Sequence, residues 1–140
     1  MFLLDINVLL ALVDPDHPHH QRAEAFFPLA LAEGWATCPI TENGFLRILG
    51  NTKYPNGPGS PTLARPILES ICTAPGHQFW QDSISLLNTK LFPNLPSSKD
   101  VTDAYLLALA VSRKGRFATL DQKINPAAVV GGAQAYFLVS

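Results

Sequence analysis

The sequence has few cysteines, few charges and no long uninterrupted apolar run. Only two cysteines occur among 140 residues, Cys38 and Cys72, and neither belongs to a C-x-x-C or Cys/His spacing. We therefore expect neither a disulfide framework nor a structural zinc site. The apolar stretch 1–13 lacks the basic n-region of a signal peptide and contains Asp5 and Asn7. We therefore expect it to be neither a signal peptide nor a membrane span. A cytoplasmic protein that does not enter a membrane is expected.

Charge is scarce and unevenly distributed. Charged residues make up 15% of the chain and the net charge is -1, so no overall basic field indicates a nucleic-acid-binding protein. Up to Phe45, however, the only basic residue is Arg22, against six acids, whereas nine basic residues face five acids from Leu46 onward. The 47% of apolar residues excludes disorder throughout. The length predicts one domain over residues 1–140.

Short apolar strands alternate with amphipathic helices along the chain. The periodicity predicts strands at Phe2–Leu4, Trp35–Cys38, Gln78–Trp80, Arg116–Leu120 and Ala135–Val139. It predicts helices at Ile6–Val13, Ala23 to about Gly34, Thr41–Gly50, Leu63–Thr73, Ser83–Leu87 and Lys99–Lys114. The proline-rich and glycine-rich segment 51–61 is predicted to be an exposed loop. This alternation predicts an α/β sandwich around a mainly parallel sheet, which binds ligands at the carboxyl ends of its strands.

Four acidic residues lie beside predicted strands and helices whose apolar side chains are expected to be buried. Asp5 and Asp121 each follow a predicted strand directly, while Glu42 and Asp103 lie at the starts of predicted helices. A buried, unpaired carboxylate is costly, and converging carboxylates repel one another. A divalent cation relieves both, and ligation by oxygen alone suits Mg²⁺ or Mn²⁺. Because these ions support phosphodiester hydrolysis, the pattern indicates a nuclease.

Each acid also has an ordinary structural explanation. Asp5 is placed to cap the helix that follows it or to bridge to a buried arginine, and Asp100 with Asp103 resembles an N-terminal capping arrangement. Asp121 is placed to open a turn, and Glu42 to interact with the dipole of its helix. The coincidence of all four favours the metal site.

A run of histidines follows Asp16, at positions His17, His19 and His20. Imidazoles favour transition metals, but neighbouring histidines in one turn rarely converge on a single ion. We interpret them as surface or helix-start residues, with a part in shaping the rim of an active site as the alternative.

Four segments carry a family resemblance. In order and spacing, Leu3–Leu9, Pro39–Phe45, Thr102–Ala110 and Ala118–Asp121 resemble the four acidic motifs of PIN-domain ribonucleases, and most closely those of VapC-type toxins. The resemblance implies a PIN-like three-layer α/β/α sandwich with a central, mainly parallel five-stranded sheet. It also implies a Mg²⁺- or Mn²⁺-dependent endoribonuclease, the toxin of a type II toxin–antitoxin pair, which cleaves structured RNA such as tRNA or rRNA by metal-activated water. A cognate antitoxin and a homodimer are expected with it.

The resemblance assigns roles to individual residues. Asp5 and Asp103 match direct metal ligands, Glu42 a direct or water-mediated ligand, and Asp121 a ligand that acts through water. Two further residues match polar positions that support the ligands, namely Asn7 and Thr119.

Among the basic residues, Arg47 and Lys99 are the candidate RNA contacts, because they are near Glu42 and Asp103 in sequence. Two other functions compete with the nuclease. One is a catalytically inactive PIN-fold interaction module that binds an antitoxin and regulates transcription. The other is a phosphatase with an aspartate nucleophile, which usually needs a second acid where this chain has Asn7.

Overall fold

One sheet of five short strands organises the computed structural model, which describes all residues from 1 to 140. Its strands are β1 (Phe2–Leu4), β2 (Trp35–Thr37), β3 (His77–Phe79), β4 (Arg116–Thr119) and β5 (Tyr136–Leu138). They lie in the order β3-β2-β1-β4-β5, and every neighbouring pair is parallel. In the central strand, Leu3 pairs with Ala36 on one side and with Phe117 on the other. The predicted parallel sheet is confirmed.

Helices cover both faces of the sheet. They are α1 (Ile6–Val13), α2 (His20–Glu33), α3 (Pro39–Leu49), α4 (Pro61–Ile71), α5 (Val101–Ser112) and the short α6 (Gly132–Ala135). Because side chains alternate along a strand, Phe2 and Leu4 pack in one apolar cluster with α1 to α4, whereas Leu3 packs in the other with α5. These two clusters make the three layers of the predicted α/β/α sandwich.

Most predicted elements are present with bounds shifted by one to three residues, α6 was not predicted, and one predicted helix is absent. Helix α3 begins at Pro39 rather than Thr41, since proline is favoured in a first helical turn and the Thr41 hydroxyl accepts a 2.9 Å hydrogen bond from the amide of Cys38. The predicted helix Ser83–Leu87 is wrong: this segment is irregular, and Leu87 is 89% exposed. Ile84 and Leu86 nevertheless pack, partly buried, against the cluster that contains α5, so the apolar spacing marks a covered but non-helical segment.

Three of the four candidate acids lie at the carboxyl ends of the strands. Asp5 follows β1 directly, Asp121 lies two residues beyond β4, and the first turn of α5 brings Asp103 to the same edge. No helix is both long enough and apolar enough to cross a membrane.

Candidate active site

Asp5 is a buried carboxylate held by two hydrogen bonds. Its side chain is 5% exposed. Oδ1 accepts a 2.7 Å hydrogen bond from the amide of Ile6, so Asp5 does cap α1, as one of the alternatives proposed. Oδ2 accepts a 2.7 Å hydrogen bond from the hydroxyl of Thr119. The buried arginine of the other alternative is absent, because the only two ion pairs of the chain lie elsewhere.

Burial and neighbouring negative charges raise the pKa of two carboxylates at this edge of the sheet, those of Asp5 and Asp103. Burial raises the pKa of Asp5 to about 7; the hydrogen bond from Thr119 opposes that rise, and the negative charges of Asp103 and Asp121 add to it. Burial likewise raises the pKa of Asp103 to about 6, with further contributions from Asp121 and Asp100. The structure thus brings Asp5, Asp103 and Asp121 near one another, and none of the three forms an ion pair with a basic side chain.

Thr119 connects two of these acids. Its buried hydroxyl donates to Asp5 and accepts a 3.0 Å hydrogen bond from the backbone amide of Asp121. The Asp121 carboxylate also accepts from the amide of Lys123 at 2.8 Å, which is the turn that one alternative proposed. The phenol of Tyr136 fixes the backbone of the same turn by donating to the Asp121 carbonyl at 2.7 Å. The hydrogen bonds that form the turn at Asp121 therefore also position Asp121 relative to Asp5.

The Asp103 carboxylate is half-buried in the first turn of α5 and has no hydrogen-bond donor in the protein. The alternative of a capping arrangement is met in position only: Asp100 is the N-cap residue of α5, but its side chain makes no capping hydrogen bond and accepts from the hydroxyl of Ser97 at 2.8 Å instead. Asp103 lines a small concavity with Lys123 and Asn125. Its oxygens are free for a ligand.

Glu42 lies apart from the other three acids. It is a first-turn acid of α3, as the alternative proposed, and it accepts a 3.4 Å hydrogen bond from the hydroxyl of Thr37. That hydroxyl also pairs with Nε2 of His77 at 2.8 Å. Burial raises the pKa of Cys72, and the charge of Glu42 adds to that rise. Burial raises the pKa of Glu42 itself. Glu42 is not among the charges that act on Asp5, and the structure does not bring it into the cluster.

The cluster around Glu42 was missed by sequence reasoning. Thr37 and His77 are 40 residues apart, and no spacing pattern connects them before the pairing of β2 with β3 is known. The same holds for Lys123 and Asn125 beside Asp103, which meet it only in the folded chain.

The other predicted residues surround the acids. Asn7 is exposed and lines a concavity of about 360 Å³ with Asp121. Arg47 is exposed and lines another, of about 410 Å³, with Asn43 and Thr102. Lys99 is exposed in the single 3₁₀ turn before α5. A larger groove of about 500 Å³ between α1, α2 and α4 is lined mainly by apolar side chains and lies outside this site.

A divalent cation needs several oxygen ligands, and this edge of the sheet offers carboxylates. No three His, Cys, Asp or Glu side chains stand close enough together to ligate one ion by themselves. Mg²⁺, however, is usually bound through one or two carboxylates, with water and substrate phosphate completing its shell. Asp5 and Asp103 fit that requirement, because they offer hard oxygen ligands and a bound cation would relieve the repulsion that, after burial, raises both pKa values.

Comparisons with known proteins identify the family. No family model matches the chain. Ribonuclease VapC44 of Mycobacterium tuberculosis is 46% identical over 136 residues, which cover 96% of this chain and 95% of the relative. Ribonuclease VapC38 of the same species is 41% identical over 121 residues (86% and 85%), and ribonuclease VapC39 is 37% identical over 131 residues (92% and 94%). With this identity over nearly its whole length, on a parallel α/β/α sandwich, the chain belongs to the VapC family of PIN-domain ribonucleases.

Proposed function

We propose that the chain is a Mg²⁺- or Mn²⁺-dependent endoribonuclease and the toxin of a type II toxin–antitoxin pair, which cleaves structured RNA such as tRNA or rRNA. The observation that carries the metal requirement is the buried carboxylate of Asp5, which has two acidic neighbours and no cationic partner. The identity to proteins named ribonuclease supports the reaction class.

Asp5 and Asp103 are the proposed direct ligands, and Asp121 is proposed to act through an ordered water. A bound ion of this type supplies a nucleophilic water at neutral pH and stabilises negative charge on the phosphate. Thr119 positions Asp5 by holding Oδ2, so that the second oxygen cannot rotate away from the acid cluster. For Glu42 we propose a water-mediated role, because its side chain is anchored on Thr37.

Arg47 and Lys99 are the proposed contacts to RNA phosphates on either side of the acids. Both side chains are exposed and neither takes part in an ion pair. Two positive charges at the rim offset the repulsion between a polyanion and an acidic centre. Most of the remaining basic side chains are expected to be solvated.

The proposal includes a cognate antitoxin, a homodimer and a cytoplasmic location, where RNA and antitoxin are both present. We propose that the antitoxin docks an apolar or arginine-bearing segment near the acidic edge and so blocks access to Asp5 and Asp103. Protection of this edge from hydrogen exchange in the complex supports that placement, and protection confined to the opposite side of the sheet contradicts it. Light scattering of the purified chain measures the dimer.

RNA cleavage and metal binding are tested separately. Purified wild type is incubated with total tRNA and rRNA in Mg²⁺, Mn²⁺ or EDTA, beside Asp5→Asn and the surface control Glu69→Gln. Mn²⁺ binding to the same proteins is measured by calorimetry. We expect cleavage and binding in wild type and Glu69→Gln and neither in Asp5→Asn. Undiminished cleavage by Asp5→Asn, or cleavage in EDTA, contradicts the proposal.

An inactive interaction module predicts a different result, namely antitoxin binding without cleavage in any metal. Sequencing of RNA ends after brief expression of wild type and Asp5→Asn distinguishes the two functions in cells. Ends that occur only with the wild type identify the cleaved RNA.

A further inference from the structure

A histidine-lined concavity adjoins the acid cluster and has no role in the function proposed so far. Its volume is about 360 Å³, and it is lined by Asn7, His17, Pro18, His19, Leu120 and Asp121. The two imidazole rings are neighbours, with 5.7 Å between their centroids. Both rings are partly buried rather than free in solvent.

Hydrogen bonds determine which ring nitrogen carries the proton in each case. Nδ1 of His17 accepts a 3.0 Å hydrogen bond from the backbone amide of His19. Nδ1 of His19 lies 2.7 Å from a guanidinium nitrogen of Arg22, and a guanidinium is only a donor. Both Nδ1 atoms are therefore acceptors, and each neutral ring carries its hydrogen on Nε2. Burial lowers the pKa of His17, which favours this neutral form.

The two Nε2–H groups have no partner within the protein, since neither atom makes a hydrogen bond or an ion pair. His20, the third histidine of the run, is different: Nδ1 pairs with the carbonyl of Ala11 at 2.6 Å, and Nε2 lies 3.2 Å from Glu24. Two of the three histidines thus offer a donor while the third is used in packing. The predicted helix-start role fits His19 and His20 by position, because α2 begins at His20 with His19 as its N-cap residue, while His17 and His19 line the concavity that the rim alternative requires.

Arg22 strengthens one of these donors. Its guanidinium forms no ion pair with a carboxylate, and its hydrogen bond to Nδ1 polarises the ring of His19 toward a more positive Nε2–H. A donor backed by a positive charge binds an anionic acceptor more strongly than a neutral one.

We propose that His17 and His19 form a hydrogen-bond donor site for the RNA phosphate next to the one that is cleaved. This inference rests on the proposed nuclease function, and it adds a subsite to it. A phosphodiester offers acceptor oxygens and no donor, which matches the unpartnered N–H groups of two side chains that line one concavity. Because Asp121 lines the same concavity, a nucleotide bound there is adjacent to the acid cluster. Phosphate contacts of this kind fix the register of the strand without reading its sequence.

The variants His17→Asn and His19→Asn separate the two ring nitrogens. An asparagine Oδ1 replaces the acceptor Nδ1, so that the contacts to the His19 amide and to Arg22 are retained, while the donor at Nε2 is lost. His17→Gln extends an amide N–H toward the lost position and is the expected rescue. His20→Asn is the matched control, because its amide still donates to Ala11 and it faces no ligand.

Binding is measured by fluorescence anisotropy with short oligo(A), oligo(C) and oligo(U) ribonucleotides in EDTA, and kcat and KM are measured in Mn²⁺. For the double variant His17→Asn/His19→Asn we expect Kd and KM to rise roughly tenfold, equally for the three oligonucleotides, at nearly constant kcat. His20→Asn is expected to match wild type. His17→Gln is expected to bind RNA more tightly than His17→Asn, because its amide restores a donor near the lost position.

Unchanged Kd and KM in the double variant overturn the subsite, as does a failure of the wild type to bind RNA under both conditions. A loss confined to one oligonucleotide overturns the assignment to phosphate, because it indicates a base contact. Failure of the nuclease proposal is distinct: Asp5→Asn then cleaves like wild type, while the histidine variants still weaken binding in EDTA.

Discussion

The hydroxyl of Thr119 donates a 2.7 Å hydrogen bond to Oδ2 of Asp5, across a separation of 114 residues. The contact joins the ends of two adjacent parallel strands, β1 and β4. The hydroxyl oxygen of Thr119 also accepts a hydrogen bond from the amide of Asp121. One buried side chain therefore sets the relative position of Asp5 and Asp121. It is also a main influence that lowers the pKa of Asp5 against the effect of burial.

Thr119→Val is therefore expected to weaken metal binding without removing a ligand. Loss of the donor raises the pKa of Asp5 further above its present value of about 7, so that the carboxylate is protonated more often at neutral pH. Replacement of a residue that supports a ligand typically reduces metal affinity by about 10- to 100-fold. Calorimetry with Mn²⁺ measures the loss, and Thr119→Ser, which keeps the hydroxyl, is expected to restore most of it. Equal affinities in the valine and serine variants contradict this role.

The raised pKa of Asp5 predicts that the metal-free protein loses stability as the pH rises. The folded state holds a proton on Asp5 up to about pH 7, whereas the unfolded chain releases it near 3.8. Between these values the folded state binds more protons, so the free energy of unfolding falls with increasing pH. For a shift of this size the loss is on the order of 4 kcal/mol.

Asp5→Asn is expected to remove most of that dependence and to be more stable than wild type at pH 8 in EDTA. A smaller dependence remains, because Asp103 also has a raised pKa, of about 6. Urea unfolding of both proteins at pH 5 and pH 8 measures the difference, and Mn²⁺ is expected to restore wild type only. Parallel stability profiles for the two proteins rule out an uncompensated Asp5.

The position of Glu42 predicts unequal contributions from the four acids. Asp103→Asn removes a carboxylate that acts directly on Asp5, whereas Glu42→Gln changes a side chain that is anchored on Thr37. We expect a loss of Mn²⁺ affinity of at least about tenfold in Asp103→Asn and a several-fold smaller loss in Glu42→Gln. Calorimetry at pH 7.5 compares them. A larger loss in Glu42→Gln indicates that Glu42 turns toward the cluster when the metal binds.

Arg47→Ala and Lys99→Ala are expected to weaken RNA binding uniformly across sequences. Each removes one exposed charge near the acids, so the slope of log Kd against log salt is expected to fall by about 1 per variant. Arg65→Ala on α4 is the control, because Arg65 is exposed on a helix that carries none of the four acids. Anisotropy titrations at several KCl concentrations provide the measurement. A slope as low in Arg65→Ala indicates a diffuse charge effect instead.

The fold was predictable because its signals are local. Phe2–Leu4 is an apolar run directly before an acid, and α2 ends at Glu33, directly before Gly34, which has a positive φ of 89°. Such patterns depend on neighbours in sequence. The Ser83–Leu87 prediction failed because Ile84 and Leu86 pack against the core from an irregular segment, and apolar spacing over five residues does not determine the backbone conformation.

The site was predictable only in part, for a related reason. A charged residue directly after an apolar strand is a local signal, and it located Asp5 and Asp121. Where a long side chain points is decided by tertiary packing: Glu42 lies in the predicted helix, but its carboxylate meets Thr37 rather than Asp5. The tautomers of His17 and His19 likewise depend on hydrogen bonds that only the folded turn creates.

Gly44 on α3 lies so close to Ile6 on α1 that a substitution there tests how the two helices pack. A Cβ at this position would collide with Cδ1 of Ile6 and approach its Cγ1 to 2.7 Å, and Ile6 is the residue that follows Asp5. Since two atoms of the branched side chain obstruct the position, rotation of one terminal group does not clear it. Gly44→Ala is expected to lower the free energy of unfolding by about 1–3 kcal/mol.

The same substitution is expected to change sign when Ile6 is truncated. In an Ile6→Ala background the obstructing atoms are gone, and alanine is favoured over glycine inside a helix by up to about 1 kcal/mol. Gly44→Ala should then be neutral or stabilising, although Ile6→Ala alone is destabilising. Urea unfolding of the four proteins gives the coupling between the two positions. Equal costs of Gly44→Ala in both backgrounds would show that α3 does not rely on this close approach to α1.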